Sequence, residues 1–439
     1  MAVLLHTNPN PDNIYAQLIQ NQRFAHLRKF QLESGEVLSD CPVAYKTWGR
    51  LNDRGDNVLV ICHALTGSSD VSDWWSPLLG PGKAFDPRHF FIFCGNVFGS
   101  PYGSASPLTI NPDTGRRYAS EFPQTTVRDD VRAHKLVLDA LGVTSVAAVI
   151  GGSMGGMTTL EWPLCTPRGF VKNIIPIATA ADHSAWGISW AETQRQCIYS
   201  DPKFSDGYYE PSPEGQPSAG LAAARMIAML TYRSCTSFDS RFGRRPARRS
   251  PKPVEPPLDL PRTDVPATDQ RNDDRVRGAK KPHSPSFSAQ GYLHYQGEKF
   301  IKRFDANCYL HITNKMDSHD VTYGRTTALG DDAVAEVFSQ MPPGALVIGV
   351  ETDALFLPEQ QERLAAHLPD ASLAVLKSSD GHDGFLLEFQ QLDWLIQAKL
   401  RTWLPGLYTE KWEMEPEQCL PHGVAVAGGQ SLTGEVESW

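Results

Sequence analysis

The chain has 439 residues, of which 41% are hydrophobic, and its formal net charge is −9 at pH 7. This length allows one large domain with an insertion, or two ordinary domains. The acidic balance excludes a general attraction to nucleic acid or to anionic membranes, and no apolar run approaches the ~18 residues of a membrane span. The first residues have neither a signal-peptide nor a transit-peptide pattern, so we expect a cytosolic protein.

The cysteines give no sign of a metal centre. All 8 are scattered along the chain, and none forms a CxxC pair. Structural metal sites built from cysteine usually contain such pairs. We therefore expect reduced, mostly buried thiols and no metal site.

Short apolar runs predict buried strands along much of the chain. A helix with its apolar side chains on one face is predicted at 127–141, between two such runs. Strands that alternate with helices indicate the α/β class with a largely parallel sheet. The predicted strands are 43–48, 57–65, 90–97, 146–150, 174–178, 346–350 and 373–376.

The alternation is interrupted by a stretch without strand-like runs, which we interpret as a helical cap at 183–328. The core would then consist of 1–182 and 329–405. Helical segments are predicted in the cap at 192–198, 221–230 and 292–304.

Two segments lack the apolar content of an ordered element. Residues 243–288 are rich in Pro, Arg, Lys, Asp and Ser. Such a composition buries too little surface to offset the entropy of ordering, so this insert is predicted to be a disordered loop. The glycine-rich segment 406–439 has weak periodicity and is predicted to be a poorly ordered tail.

A G-x-S-x-G pattern centred on Ser153 follows a predicted strand and precedes a helix-like run. This is the context of a nucleophile elbow, whose turn is too tight for bulky side chains two residues before and after the serine. Glycine occupies both positions, Gly151 and Gly155. Ser153 is therefore the predicted nucleophile, and a structural serine in a glycine-rich turn is the alternative.

The acid and the base of a triad follow the nucleophile in this fold, in the order Ser, Asp or Glu, then His. Asp353 comes after one predicted strand, and His382 comes after the next, with a helix predicted between them at 359–368. Both loops then lie at the carboxyl edge of the sheet. We predict His382 as the base and Asp353 as its orienting acid, with Glu351 as the competing carboxylate.

Two further carboxylates lie beside the predicted base in sequence, Asp380 and Asp383. They are too close along the chain to reach the far nitrogen of the His382 ring easily. An oxyanion hole is predicted from the N–H of Met154, after the nucleophile, and that of Leu65, in the loop after an early strand. An ordinary strand-to-loop turn is the alternative for the Leu65 loop.

Seven strings stand out between about residues 40 and 390. They are CHALTGSS (62–69), GPGKAFD (80–86), PYGSASP (101–107), VIGGSMGGMTTLEW (149–162), ETQRQCI (192–198), GEKFIKRFDANCYL (297–310) and DGHDGFLLE (380–388). Together they resemble the homoserine O-acetyltransferases, a family with the α/β-hydrolase fold. The insert 243–288 departs from the compact pattern of that family.

The resemblance implies a ping-pong transfer from acetyl-CoA, a substrate here, to L-homoserine in methionine biosynthesis, with no prosthetic group. It implies the same triad, a mostly parallel sheet with a helical cap, and a homodimer. It also implies that Arg195, Tyr232 and Asp383 contact the substrate. A guanidinium suits the carboxylate of an amino acid, and a carboxylate suits its ammonium group.

Alternatives remain open at this stage. Close relatives of the family acetylate deacetylcephalosporin C or L-serine, and the same triad serves a serine esterase in which water replaces the alcohol. A catalytically silent binding protein of the same fold is a further alternative. The sequence does not distinguish an acetyl from a succinyl donor, which depends on the volume of the pocket.

Overall fold

The structure is a computed structural model, and it describes residues 2–5, 10–246 and 286–409. Most of the predicted insert and most of the predicted tail lie outside these residues. At the ends of the insert, Pro246 and Phe287 form an isolated antiparallel bridge. The last described residues are ordered more than predicted, since Leu407 and Tyr408 pack against a hydrophobic cluster of the core.

Nine strands form a single sheet in the described part of the chain. They are β1 (Ala2–Leu5), β2 (Arg23–Gln31), β3 (Val37–Trp48), β4 (Val58–Cys62), β5 (Phe91–Gly95), β6 (Val146–Gly152), β7 (Ile174–Ile177), β8 (Leu346–Val350) and β9 (Ser372–Leu376). Their order across the sheet is β1-β2-β3-β5-β4-β6-β7-β8-β9.

The six strands from β5 to β9 pair in parallel, which confirms the predicted mostly parallel sheet. The strands β1, β2 and β3 add an antiparallel edge. We did not predict β1 and β2. Exposed and buried residues are interspersed along β2, so it has no continuous apolar run, because one face of an antiparallel sheet can meet water.

Twelve α-helices accompany the sheet in the described residues. They are α1 (Val71–Trp74), α2 (Val127–Ala140), α3 (Met154–Cys165), α4 (Ala185–Tyr199), α5 (Ser218–Tyr232), α6 (Cys235–Phe242), α7 (Ser288–Phe300), α8 (Ala306–Asp317), α9 (Gly330–Phe338), α10 (Pro358–His367), α11 (Gly384–Leu387) and α12 (Phe389–Trp403). None of them combines the length and apolarity that crossing a membrane needs.

Alternate side chains of the central strands face two different helical layers. In β4, Val58 and Val60 pack with residues of α2, α3, α9 and α10. Leu59 and Ile61 point the other way and pack with residues of α1 and α12. This period of two is the geometry of a strand buried on both faces, and it explains why the central strands read as uninterrupted apolar runs.

Helices α4 to α8 lie between β7 and β8, where the sequence predicts a cap. Four of them, α4, α5, α7 and α8, share a third hydrophobic cluster with the loops above the sheet, which includes Ile198, Leu221 and Phe300. The helix predicted at 292–304 instead spans Ser288–Phe300. A turn follows it, and Asp305 caps the next helix by accepting a hydrogen bond from the N–H of Cys308 at 3.0 Å.

Candidate active site

Ser153 stands at a sharp turn between β6 and α3, with φ 58° and ψ −125°. A side chain on Gly155 would place its Cβ 2.1 Å from the carbonyl oxygen of Cys62 at the end of β4. A Cβ on Gly151 would lie 2.3 Å from the carbonyl oxygen of Gly155. Only glycine fits at these two positions, and the positive φ of the serine is held by the surrounding packing.

Three buried side chains form a hydrogen-bonded relay at this turn. The Nε2 atom of His382 lies 2.9 Å from the Oγ of Ser153, and its Nδ1 lies 2.7 Å from the Oδ2 of Asp353. A carboxylate only accepts, so Nδ1–H donates to Asp353 and Nε2 accepts from the serine hydroxyl. The structure therefore brings together the three residues predicted as nucleophile, base and acid.

The acid and the ring of the base are each fixed by neighbours. The Oδ1 of Asp353 accepts hydrogen bonds from the N–H groups of Leu355 and Phe356, both at 2.9 Å, which leaves Oδ2 for the histidine. The ring of Phe356 stacks on His382 with a centroid separation of 5.2 Å, and Phe385 contacts it edge-on at 5.1 Å. The imidazole thus has little freedom to leave the serine.

The other carboxylates considered for the acid are bound elsewhere. Glu351 lies 2.9 Å from Lys377 at the protein surface. Asp380 and Asp383 both pair with the buried guanidinium of Arg233, at 3.1 and 2.6 Å. The geometry therefore favours Asp353 over Glu351 as the partner of the base.

A pocket opens above Ser153 and His382, between the sheet and the cap. Leu65 lines it, on the loop that follows β4, and Met154 is the first residue of α3. The N–H groups of the first helical turn have no partner within their helix, so the N–H of Met154 is available. The oxyanion role of both N–H groups stays a prediction.

Two of the three residues predicted to contact the substrate line this pocket. Tyr232 and Asp383 line it, but Arg195 does not. The Nη2 of Arg195 lies 2.9 Å from Glu192 and 2.7 Å from Asp317. The guanidinium of Arg195 is thus paired with two carboxylates, and its direct contact with the substrate stays a prediction.

Two arginines that we did not predict as substrate contacts line the pocket instead, Arg225 and Arg233. Arg225 is buried on α5, and its Cζ lies 5.6 Å from the ring of Tyr232 and 4.9 Å from that of Phe300. The spacing in the sequence could have indicated Arg225. It stands seven positions before the predicted contact Tyr232, and residues seven apart lie on the same face of a helix.

Other features of the pocket bear on its chemistry. Burial raises the pKa of Tyr292, so this phenol is a neutral hydrogen-bonding group in the wall. Within the described ranges, no group of three or more His, Cys, Asp or Glu side chains is arranged to hold a metal ion. The site instead offers a serine nucleophile beside a base, which suits acyl transfer.

Known proteins resemble this chain over most of its length. A family model described as the alpha/beta hydrolase fold matches residues 57–389, which confirms the predicted fold. A homoserine O-acetyltransferase of Cryptococcus neoformans var. grubii is 48% identical, covering 98% of this chain and 97% of its own. One of Saccharomyces cerevisiae is 49% identical, covering 89% of this chain and 88% of its own.

A solved structure extends the comparison to three dimensions. The crystal structure of esterase E22 superimposes with a TM-score of 0.70 and 25% sequence identity, covering 87% of this chain and 99% of that chain. The shared fold therefore includes a protein named for hydrolysis as well as the sequence relatives named for acetyl transfer.

Proposed function

Because the chain belongs to the homoserine O-acetyltransferase family, we propose that it transfers an acetyl group from acetyl-CoA to the γ-hydroxyl of L-homoserine through an acetyl-serine intermediate. The observation that carries this proposal is the relay from Asp353 through His382 to Ser153, facing a pocket that contains arginine. A step in methionine biosynthesis is part of the proposal.

In the first half-reaction, Ser153 Oγ attacks the thioester carbonyl of acetyl-CoA while Nε2 of His382 takes the hydroxyl proton. The negative charge on the carbonyl oxygen is stabilised by the N–H groups of Leu65 and Met154. The tetrahedral intermediate collapses with cleavage of the carbon–sulfur bond. CoA leaves as the thiol after taking the proton from His382, and the acetyl group stays on Ser153.

In the second half-reaction, the γ-hydroxyl of homoserine gives its proton to His382 and attacks the acetyl carbon. The same two N–H groups stabilise the second oxyanion. Ser153 then leaves with the proton returned by the imidazolium, and O-acetylhomoserine is released. Asp353 keeps Nδ1 protonated and stabilises the imidazolium in both halves.

The acceptor is an amino acid, so the pocket must bind a carboxylate and an ammonium group. Arg225 lines the pocket and is buried, and a planar guanidinium binds a carboxylate in a bidentate manner. We assign the carboxylate to Arg225 rather than to Arg195. Asp383 is the candidate for binding the ammonium group, although it also pairs with Arg233. Tyr232 lies beside His382, with the two ring centroids 6.3 Å apart.

A serine esterase is the second candidate function. The same relay deacylates with water when no alcohol is bound, and the fold is shared with a protein named esterase E22. Deacetylcephalosporin C and L-serine remain alternative acceptors, and a succinyl donor remains an alternative to acetyl. The homodimer and the cytosolic location also stay predictions.

One experiment separates these functions. Purified protein is mixed with acetyl-CoA or succinyl-CoA, and free thiol release is followed with and without L-homoserine, deacetylcephalosporin C or L-serine. We expect release from acetyl-CoA that depends on homoserine, together with formation of its acetyl ester. Release that no acceptor changes would identify a hydrolase, and full activity of Ser153→Ala would exclude the serine mechanism.

A further inference from the structure

His63 is a buried histidine that the mechanism above does not use. It follows β4 directly and begins the loop that contains Leu65, and only 1% of its surface is exposed. Its neighbours in the chain, Ala64 to Thr66, line the pocket with Ser153. A polar side chain buried so close to the reacting atoms needs hydrogen-bonding partners.

Both ring nitrogens of His63 have backbone partners. The N–H of Val97 donates to Nε2 at 3.1 Å, so Nε2 carries no proton. The proton therefore sits on Nδ1, which donates to the carbonyl oxygen of Ala64 at 2.8 Å. Burial lowers the pKa of His63 to about 4, so the ring is neutral and keeps both bonds at neutral pH.

The carbonyl of Ala64 is held twice, because it also accepts a hydrogen bond from the N–H of Gly67 at 3.0 Å. This carbonyl belongs to the same peptide unit as the N–H of Leu65. The unit is planar and trans, since the described residues contain no cis peptide bond, and its C=O and N–H point in opposite directions. Fixing the carbonyl therefore fixes the direction of the Leu65 N–H.

We propose that His63 is a positioning residue for the oxyanion hole, which holds the Ala64 carbonyl so that the N–H of Leu65 points at the carbonyl of the acyl group. This inference rests on the proposed function. His63 itself touches no reacting atom, and its effect passes through one peptide plane. A donor that is pre-oriented stabilises the oxyanion without reorganisation during the reaction.

Substitutions can separate the two hydrogen bonds of the ring. His63→Asn places an amide N–H near the position of Nδ1 and keeps a donor for Ala64. His63→Gln reaches the position of Nε2 and keeps an acceptor for Val97, but it loses the bond to Ala64. His63→Ala loses both. His134→Asn is the matched control, because His134 is another buried histidine, bound to the carbonyl of Asn96 on a different element.

The first readout is the rate of acetylation of Ser153 by acetyl-CoA, measured with the thermal midpoint of each variant. We expect His63→Ala and His63→Gln to lower this rate roughly 10- to 100-fold, as a misplaced donor would. His63→Asn should stay within a few-fold of the unchanged protein. If His63→Gln kept the rate and His63→Asn lost it, the bond to Val97 would be the important one, and the proposal would be overturned. It would also be overturned if His134→Asn lowered the rate as much as His63→Ala.

The second readout is the infrared band of the acetyl-enzyme carbonyl, recorded with carbonyl-labelled acetyl-CoA and no acceptor. Weaker hydrogen bonding should move this band to higher wavenumber in the Gln and Ala variants and leave it unchanged in the Asn variant. A purely structural role would not move the band, so an unchanged band in all variants overturns the proposal. Failure of the proposed function is distinguishable, because peptide mass analysis would then find no acetyl group on Ser153 of the unchanged protein.

Discussion

The Nε of Arg233 lies 2.6 Å from the Oδ2 of Asp383, the residue that follows His382 in the chain. Arg233 stands between α5 and α6 in the cap, whereas Asp383 belongs to the core loop that presents the base. The same guanidinium also pairs with Asp380, on the other side of the histidine, at 3.1 Å. One buried cation thus joins the cap to both flanks of the base.

Arg233→Gln is expected to destabilise the protein and to impair catalysis together. Removing one partner of a buried ion pair leaves an uncompensated charge and costs about 3 kcal/mol or more. Urea unfolding of Arg233→Gln, Asp383→Asn and the double variant measures the coupling between the two side chains. If the double variant lost as much free energy of unfolding as the sum of the single variants, the two residues would not be coupled.

Asp353→Asn is expected to lower the rate of acyl transfer roughly 10⁴-fold while the protein stays folded, because the amide stabilises the wrong tautomer of His382. Glu351→Gln is the matched control. Its partner Lys377 has a side chain that is 76% exposed, and surface pairs contribute little. Steady-state rates and circular dichroism of both variants check this. A comparable loss in Glu351→Gln would argue against Asp353 as the acid.

Substitutions of Arg225 and Arg195 should affect different properties of the protein, the KM for homoserine and the thermal midpoint. Arg225→Gln is expected to raise the KM for homoserine at least 10-fold, since a charge-assisted bidentate contact is lost, and to leave acetylation of Ser153 less affected. Arg195→Gln should mainly lower the thermal midpoint, because it breaks the buried pairing with Asp317. The opposite pattern of KM effects would return the substrate contact to Arg195.

Gly155→Ala tests the tightness of the elbow. Its methyl group would meet the carbonyl of Cys62 at 2.1 Å, so we expect a loss of roughly 1–3 kcal/mol in the free energy of unfolding and a large loss of activity. Gly406→Ala is the control, because no atom lies within 4 Å of its added Cβ. Equal stability of the two variants would mean that the elbow relaxes without cost.

A buried histidine should make the protein less stable in mild acid. Burial lowers the pKa of His319 to about 4 in the folded chain, from the ordinary histidine value of 6.5. Between these values the unfolded chain binds a proton that the folded chain does not, so stability falls as the pH drops from about 6.5 to about 4. Replacing His319 with Asn should reduce this slope by at most about 1.4 kcal/mol per pH unit.

Urea unfolding at several pH values between these limits gives the slope for each protein. His294→Asn serves as the control, because His294 is exposed to solvent. A slope that is the same in His319→Asn and in the unchanged protein would mean that His319 is not neutral in the folded state.

The triad could be predicted from the sequence, because the fixed order of nucleophile, acid and base along the chain leaves few candidate residues. An acid and a histidine that follow two successive strands, such as Asp353 and His382, must end at the same sheet edge. The residues of the pocket wall could not be predicted from the sequence in the same way. Arg195 and Arg225 both lie on helices, and only the packing of α4 against α8 shows that Asp317 holds the first of them. The antiparallel strand β2 was missed because exposed and buried residues are interspersed along it, as in a half-exposed strand.

Because the cap is inserted between β7 and β8, the catalytic residues and several residues of the pocket wall lie in different segments of the chain. The acylation machinery belongs to the sheet and its loops, whereas Arg225 and Tyr232 belong to the inserted helices. With Arg225 and Tyr232 as the proposed acceptor contacts, substitutions in those helices are expected to alter which alcohol is accepted and to leave Ser153, His382 and Asp353 in place. The cap helices are therefore the first place in which to redesign the acceptor preference, with the core loop that contains Asp383 as the second.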